Sequence, residues 1–351
     1  MSRLSVSARG HTTRADVNED VLDSVPSQAL APRPVIDVRG PSRIDVDEAS
    51  VAASAPEVLE LLLADMTTRT NIIWATNDYA DLGSQFHSHQ PITVASITGP
   101  NAGLICPRVA KSKARQGDRA KSKAEVFTPS WLCNEQNNLV DEAWFGRAGV
   151  FNTTARGAWR AIGAPVEFET VGNRTWQSYV DEPRLEAACG EAPYLVSRYD
   201  ATTGVPIGLH RRIGLLDRKM RVVKERSRDE DEWLRWARRA FESAYGFEFH
   251  GDSLLLAREN LLASFVDYTH DALRREPSKD ELAGIAEVIV WNVWQMDALT
   301  GTIPFKTVGS SAGEATLFDL PETHCSPCQV RDWRADETIE FRSLLKGNGV
   351  R

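Results

Sequence analysis

Residues 185–195, Leu-Glu-Ala-Ala-Cys-Gly-Glu-Ala-Pro-Tyr-Leu, combine acidic side chains with small residues and one glycine. Leu185 closes a predicted strand, Glu186 stands at its end, and Cys189 and Gly190 form the turn that follows. Pro193 suits the first turn of a helix. In open α/β sheets, small residues at a strand-to-helix turn let the backbone approach a ligand closely. This run is therefore a candidate ligand-binding loop, although a tight turn in a core has a similar composition.

A second acidic residue, Glu248, ends the next predicted strand, in the sequence Tyr-Gly-Phe-Glu at 245–248. Acidic side chains at the end of the second strand of such folds commonly accept hydrogen bonds from ribose hydroxyls. Asp252 or Ser253 could cap the helix that follows. Glu248 is thus either a ribose acceptor or a solvent-facing strand residue.

A third segment, residues 124–146, places Thr128, Pro129 and Ser130 at the start of a predicted helix, with Ser130 as a candidate cap. Phe127, Thr128 and Pro129 resemble the Phe-Thr-Pro segment of amino-methylating DNA methyltransferases and of the modification subunits of restriction systems. In that family this segment precedes the cofactor loop and lines the pocket for S-adenosylmethionine. More narrowly, the chain resembles proteins labelled restriction endonuclease subunit M, over roughly residues 105–305.

The likeness extends to the two acidic segments. Residues 185–195 resemble the family's loop Asp-Pro-Ala-Cys-Gly-Ser-Gly-x-Phe-Leu, with Glu186 at the position of its Asp. Cys189 and Gly190 match, and Tyr194 with the following Leu stands for Phe-Leu. The likeness implies that Glu248 holds the cofactor ribose.

The third cofactor element implied by the resemblance is the run at 291–299, with Asp297 near the adenine. This run is equally compatible with a helix.

The chain departs from the family pattern at several points. Ala192 replaces the loop's second glycine, and Glu191 replaces its serine. The interval between Gly190 and Glu248 is longer than usual, which indicates an insertion, and the insertion contains the basic stretch 214–226.

The catalytic segment Asn-Pro-Pro-Tyr or Asp-Pro-Pro-Tyr does not occur downstream. In the family it accepts hydrogen bonds from the base amino group and stacks an aromatic ring on the flipped base. The nearest analogue is Asn77, Asp78 and Tyr79, upstream of the cofactor segments. A circularly permuted arrangement would let Asn77 or Asp78 hold the amino group and Tyr79 stack. The alternative is a plain turn at the end of a strand.

The resemblance implies an S-adenosylmethionine-dependent methyltransferase that acts on a DNA base amino group, adenine N6, within a restriction-modification or phage-defence system. Its partners would be DNA and a cognate restriction endonuclease or specificity subunit. One alternative is a catalytically inactive, methyltransferase-like subunit that binds DNA or a partner. Another is methylation of a substrate other than DNA.

Alternating helical and β-like runs predict an α/β fold, a Rossmann-like methyltransferase domain with a mainly parallel sheet. We expect a mobile tail at 1–52, an N-terminal α/β region at 53–110, the methyltransferase-like domain at 111–305 and a C-terminal segment at 306–351. The segment 110–125 contains four Lys and two Arg against one Asp and one Glu. It is either a solvated loop or a phosphate-contacting segment.

Composition narrows the class of protein. The 351 residues carry a formal net charge of −8, which disfavours nonspecific coating of nucleic acid but allows a local basic patch. We expect no membrane span and no secretory signal, and the five cysteines suit a reducing cytoplasm. His324, Cys325 and Cys328 lack the fourth ligand of a closed zinc site, so no metal is predicted.

Overall fold

The computed structural model describes residues 44–113, 116–117, 119, 121, 127–168, 173–308 and 324–346. The predicted tail at 1–52 therefore lies mostly outside the described residues. Its last part, 44–52, does not fit that prediction, because a capped helix begins at Glu48 and buries Val51 completely. The Asp47 side chain caps it by accepting the N–H groups of Ala49 and Ser50.

Ten α-helices have defined bounds in the described part of the chain. They are α1 (Glu48–Ser54), α2 (Pro56–Leu63), α3 (Val94–Ile97), α4 (Ser130–Phe145), α5 (Trp176–Asp181), α6 (Leu215–Arg226), α7 (Glu230–Glu242), α8 (Gly251–Leu273), α9 (Lys279–Asn292) and α10 (Phe341–Lys346). None of these described helices is long and apolar enough to cross a membrane. A capping box begins α9, because Ser278 and Glu281 each bind the other's backbone N–H.

Eleven short strands accompany the helices in the same residues. They are β1 (Ala64–Asp65), β2 (Thr70–Asn71), β3 (Asn152–Ala155), β4 (Ala158–Ala161), β5 (Arg184–Ala187), β6 (Ala244–Glu248), β7 (Val293–Gln295), β8 (Thr302–Val308), β9 (His324–Pro327), β10 (Gln329–Asp332) and β11 (Glu337–Glu340). The first two pair with each other, as do β3 with β4, β8 with β9, and β10 with β11, all antiparallel.

The central sheet is parallel and has the strand order β5-β6-β7. The helices α6 and α7 lie in the connection from β5 to β6, and α8 and α9 lie in the connection from β6 to β7. The α/β class is therefore correct. The parallel part of the fold is smaller than expected, because it comprises three strands among four antiparallel pairs.

The long helix α8 lies at the centre of the fold, and 18 of its 23 residues are buried. Arg258 fixes it to its surroundings, because the fully buried guanidinium donates to the carbonyl oxygens of Val293 on β7, Val290 on α9, and Leu62 and Ala64 near the end of α2. A buried charge needs such partners to offset its lost hydration. The N-terminal region is thereby tied to the same core as the parallel sheet.

One prediction about the β5 turn is wrong. Pro193 does not begin an α-helix, because residues 193–195 form only a turn and the next α-helix is α6.

Candidate functional site

The carboxyl ends of the parallel strands open into one cleft of about 350 Å³. Parallel strands place their carboxyl ends at the same edge of the sheet, and open α/β sheets bind ligands there. Register pairs Ala187 with Phe247, and Glu248 with Gln295, so the turns after β5 and β6 are neighbours. The cleft is lined by Phe127, Thr128, Glu186, Ala187, Ala188, Cys189, Gly190, Pro193, Tyr194, Phe247, Glu248, Phe249, His250, Ser253, Met296 and Ala298.

The turn after β5 is tightly wound. Ala188, Gly190 and Ala192 have positive φ values of 48°, 54° and 61°. The Cys189 N–H donates to the Phe247 carbonyl over 2.9 Å, which ties the turn to β6. The Cys189 thiol is buried beneath the turn, and burial raises its pKa well above the usual value. This side chain therefore supports the turn and is not a reactive thiolate.

Glu248 ends β6 at the floor of the cleft, with 11% of its side chain exposed. Its Oε2 accepts the Gly190 N–H over 2.9 Å, and its Oε1 accepts the His250 N–H over 3.1 Å. Each carboxylate oxygen can accept more than one hydrogen bond. Two backbone donors thus orient the carboxylate, and acceptor capacity for a ligand hydroxyl remains.

Glu186 is a buried carboxyl beside the same turn. Its two oxygens accept the N–H groups of Tyr194 over 3.2 Å and Leu195 over 3.0 Å. Burial raises the pKa of Glu186 to about 8 against these two hydrogen bonds, and the charge of Glu248 raises it further. The side chain braces the loop and places a titratable group in the cleft wall.

Phe127 and Thr128 form the opposite wall. A methyl group added at Gly190 would lie 3.5 Å from the Phe127 ring, so the aromatic ring and the glycine turn face each other closely. The Arg108 guanidinium lies over the same ring at 5.2 Å from its centroid. Predicted residues from three distant segments therefore meet at this cleft.

Pro129 and Ser130 occupy the start of α4, as predicted, but Ser130 is not the cap. Asp200 caps the helix instead, because its Oδ2 accepts the Ser130 N–H over 2.8 Å. Pro129 lines a neighbouring depression instead of the cleft.

The segment after β7 reaches the cleft through Met296 and Ala298, which flank the predicted Asp297. Asp297 itself does not line the cleft. Its Oδ1 accepts the Leu299 N–H over 2.9 Å, so its carboxylate stabilises the turn after β7.

The candidate catalytic residues lie beside the N-terminus of α8, where His250 and Ser253 line the cleft, but none of the three lines the cleft itself. Tyr79 is buried against Trp74, and its hydroxyl donates to Asp252 over 2.8 Å. Asn77 Oδ1 accepts the Ser88 N–H, and Asp78 pairs with Arg119 over 2.7 Å. The expectation that Tyr79 presents its ring to a flipped base does not fit this arrangement, because the core covers the ring.

Asp252 also binds two cationic side chains of the basic segment at 110–125. Its carboxylate binds Lys111 over 3.2 Å and Arg119 over 2.8 Å, and these cations hold its pKa well below the usual range against the effect of burial. Two of the basic side chains are therefore structural ion-pair partners, whereas Lys113 and Lys121 are exposed.

Phe249, His250, Ser253, Met296 and Ala298 line the cleft without having been predicted. They immediately follow β6 and β7, so the rule that ligands bind beyond strand ends contains the signal for them. Among the described residues, no group of His, Cys, Asp and Glu has a metal-binding arrangement. The chain matches no protein-family model, no curated protein and no solved structure.

Proposed function

We propose that the chain is an S-adenosylmethionine-dependent methyltransferase with a Rossmann-like domain, and that it methylates a base amino group of DNA, adenine N6. The observation that supports this most strongly is the convergence of Phe127, Gly190 and Glu248 on one cleft at the carboxyl end of the parallel sheet. The resemblance in sequence assigns the cofactor to these same residues. A role in a restriction-modification or phage-defence system belongs to the same proposal.

The cleft suits the cofactor in size and chemistry. Its volume of about 350 Å³ lies within the range of about 300–1,000 Å³ that is typical of small-molecule sites. Phe127 and Met296 supply apolar surface, and Glu248 supplies oriented acceptor oxygens for a ribose diol. The side chain of Glu248, and that of Glu186 once it loses its proton, also favour a ligand with cationic groups.

Bound S-adenosylmethionine would supply a methyl group activated by a sulfonium. The residues of the chain hold the donor: Glu248 would accept hydrogen bonds from the ribose, and the turn at 188–192 would approach the ligand with its backbone. Phe127, on the wall facing Gly190, would exclude water from one side of the bound ligand. Direct displacement mainly requires alignment of donor and acceptor, so a rigid cleft is the main contribution expected of the protein.

The second candidate is a catalytically inactive subunit that keeps the cofactor cleft and binds DNA or a partner protein. The favouring observation is that Asn77, Asp78 and Tyr79 do not line the cleft and are engaged in structural contacts. In this case the amino group would have no acceptor from these residues.

Two measurements separate these candidates. Calorimetric titration with S-adenosylmethionine tests the cleft, and sequencing that reports modified bases tests the DNA of a host expressing the protein. Binding together with modified adenine supports the methyltransferase. Binding without any modified base supports the inactive subunit, and absence of binding contradicts both.

A further inference from the structure

A second cavity, which shares no lining residue with the cleft at the strand ends, is basic. It measures about 810 Å³ and lies between the hairpin β3–β4, the segment 209–213 and α6. Three carboxylates line it, against six cationic side chains, which is unusual in a chain with a net charge of −8. The cations are Arg160, Arg211, Arg212, Arg218, Arg221 and Lys224. We call this cavity the arginine cleft.

Three of these cations are neutralised by partners within the protein. Arg218 forms a buried ion pair with Asp141. Arg221 pairs with Glu225 over 2.7 Å, and Lys224 pairs with Asp271 over 2.6 Å. A fourth cation, Arg212, pairs with Asp267, so the lining cations without an ion-pair partner among the described residues are Arg160 and Arg211.

Arg212 carries unused hydrogen-bond donors. Its side chain is 8% exposed, its Nη2 binds Asp267 over 2.5 Å, and its guanidinium lies over the Tyr268 ring. Its Nε and Nη1 are buried and have no hydrogen-bond partner among the described residues. Buried donors without a partner are costly, and guanidinium groups match the geometry of phosphate oxygens. Arg160 and Arg211 are exposed, so a polyanion can reach them from solvent.

Aromatic side chains extend the arginine cleft toward the cofactor cleft. Trp159 donates its indole N–H to the Arg211 carbonyl over 2.8 Å, and the Arg211 guanidinium lies over its ring. Trp159 and Arg211 also line a second depression of about 320 Å³, together with Trp131 and Pro129. Thr128, the neighbour of Pro129, lines the cofactor cleft. The three cavities thus follow one another along the surface.

We propose that the arginine cleft binds the sugar–phosphate backbone of a single-stranded nucleic acid, whose bases stack along Trp159 and Trp131. Clustered arginines neutralise phosphates, and exposed aromatic rings stack on unpaired bases of any sequence. Trp131 is 39% exposed, which leaves ring surface for such stacking. The direction of the strand toward the cofactor cleft rests on the proposed function, whereas binding in the arginine cleft does not.

The test is fluorescence anisotropy of a labelled oligothymidylate 12-mer titrated with the full chain at low salt, without cofactor. Arg160→Gln and Arg211→Gln should each weaken binding by about tenfold and lower the slope of log K against log salt by about 0.7. Arg235→Gln is the matched control, because it removes the same charge from an exposed site on α7 outside the three cavities. Arg212→Gln should weaken binding by a similar factor. Because this substitution also removes the ion pair with Asp267, the variant can misfold. The test therefore depends on the two exposed positions, Arg160 and Arg211.

Wild-type protein that does not bind the 12-mer, or Arg160→Gln and Arg211→Gln variants that bind it as well as Arg235→Gln does, would overturn the proposal. Tighter binding of a duplex of equal length would overturn the single-strand assignment. Calorimetry with S-adenosylmethionine on the same proteins separates the two proposals. If only the oligonucleotide binds, the cofactor assignment fails and this inference stands; if only the cofactor binds, the reverse holds.

Discussion

The backbone N–H of Gly190 donates to the carboxylate of Glu248 over 2.9 Å, joining residues that are 58 positions apart in the chain. This hydrogen bond links the turn after β5 to the end of β6. The loop that approaches a ligand and the carboxylate that would bind its ribose are therefore one structural unit.

Removing the charge of Glu248 should weaken S-adenosylmethionine binding. Glu248→Gln keeps the shape and one acceptor oxygen, so the hydrogen bond from Gly190 can persist while the charged ribose acceptor is lost. Hydrogen bonds to charged groups contribute about 1.5–3 kcal/mol, which predicts a dissociation constant raised by roughly tenfold or more. Calorimetry measures this, and Glu337→Gln at an exposed position on β11 is the control. An unchanged dissociation constant, with thermal unfolding also unchanged, would show that the ribose assignment is wrong.

The turn at 188–192 stores backbone strain that a glycine would relieve. Ala188 has φ 48°, and the left-handed conformation costs an L-residue about 1–2 kcal/mol that glycine does not incur. We expect Ala188→Gly to raise the free energy of unfolding by up to about 1 kcal/mol, since glycine also gains entropy in the unfolded chain. Urea denaturation checks this. The control Ala283→Gly, inside α9, should lower the same quantity by about 1 kcal/mol.

Tyr79 should contribute to stability and not to cofactor binding. Tyr79→Phe removes the hydroxyl that donates to the buried Asp252 while preserving the packing on Trp74. Losing one hydrogen bond to a charged acceptor should cost about 1.5–3 kcal/mol of unfolding free energy. Chemical denaturation and calorimetry with S-adenosylmethionine give the two readouts. If the Tyr79→Phe variant kept its stability but no longer methylated the DNA of its host, the result would support a catalytic role for Tyr79.

Much of the cleft at the carboxyl end of the parallel sheet follows from local sequence rules. The switch from apolar runs to turn residues predicts Glu186 and Glu248 at strand ends, and β5 and β6 include both. Phe127, distant in sequence, is predicted only by the resemblance. Once parallel pairing is assumed, residues at adjacent strand ends must become neighbours, which is why Glu186 and Glu248 could be predicted to lie close together.

The failures have a common physical cause, which is that side-chain partners come from elsewhere in the fold. No residue near Tyr79 in sequence predicts its hydrogen bond to Asp252, which is 173 residues away. That hydrogen bond holds the Tyr79 ring in the core. Ser130 looks like a helix cap until Asp200 occupies that role. Likewise Asp297 was assigned to the adenine, but its carboxylate binds the local turn. Tertiary contacts override local patterns in each case.

The titration of Glu186 predicts a pH dependence of cofactor binding. Its pKa in the folded chain is about 8, above the ordinary value of 4.5, because burial disfavours the carboxylate. This group therefore contributes its full stability to the folded state below pH 4.5 and loses it as the pH rises through 8. A cationic ligand in the cleft favours the carboxylate and lowers this pKa, so binding near pH 7 should release a proton.

Two readouts follow for Glu186. The affinity for S-adenosylmethionine should rise between pH 6 and pH 8, by up to about tenfold per pH unit, and level off above pH 8. Calorimetry at pH 7 in buffers of different ionisation enthalpy should report the release of up to about one proton per bound ligand. Glu186→Gln should abolish the release and flatten the pH dependence, whereas Glu182→Gln, whose side chain is 42% exposed, should change neither. Binding at pH 7 with no proton released by the wild-type chain would mean that Glu186 does not sense the ligand's charge.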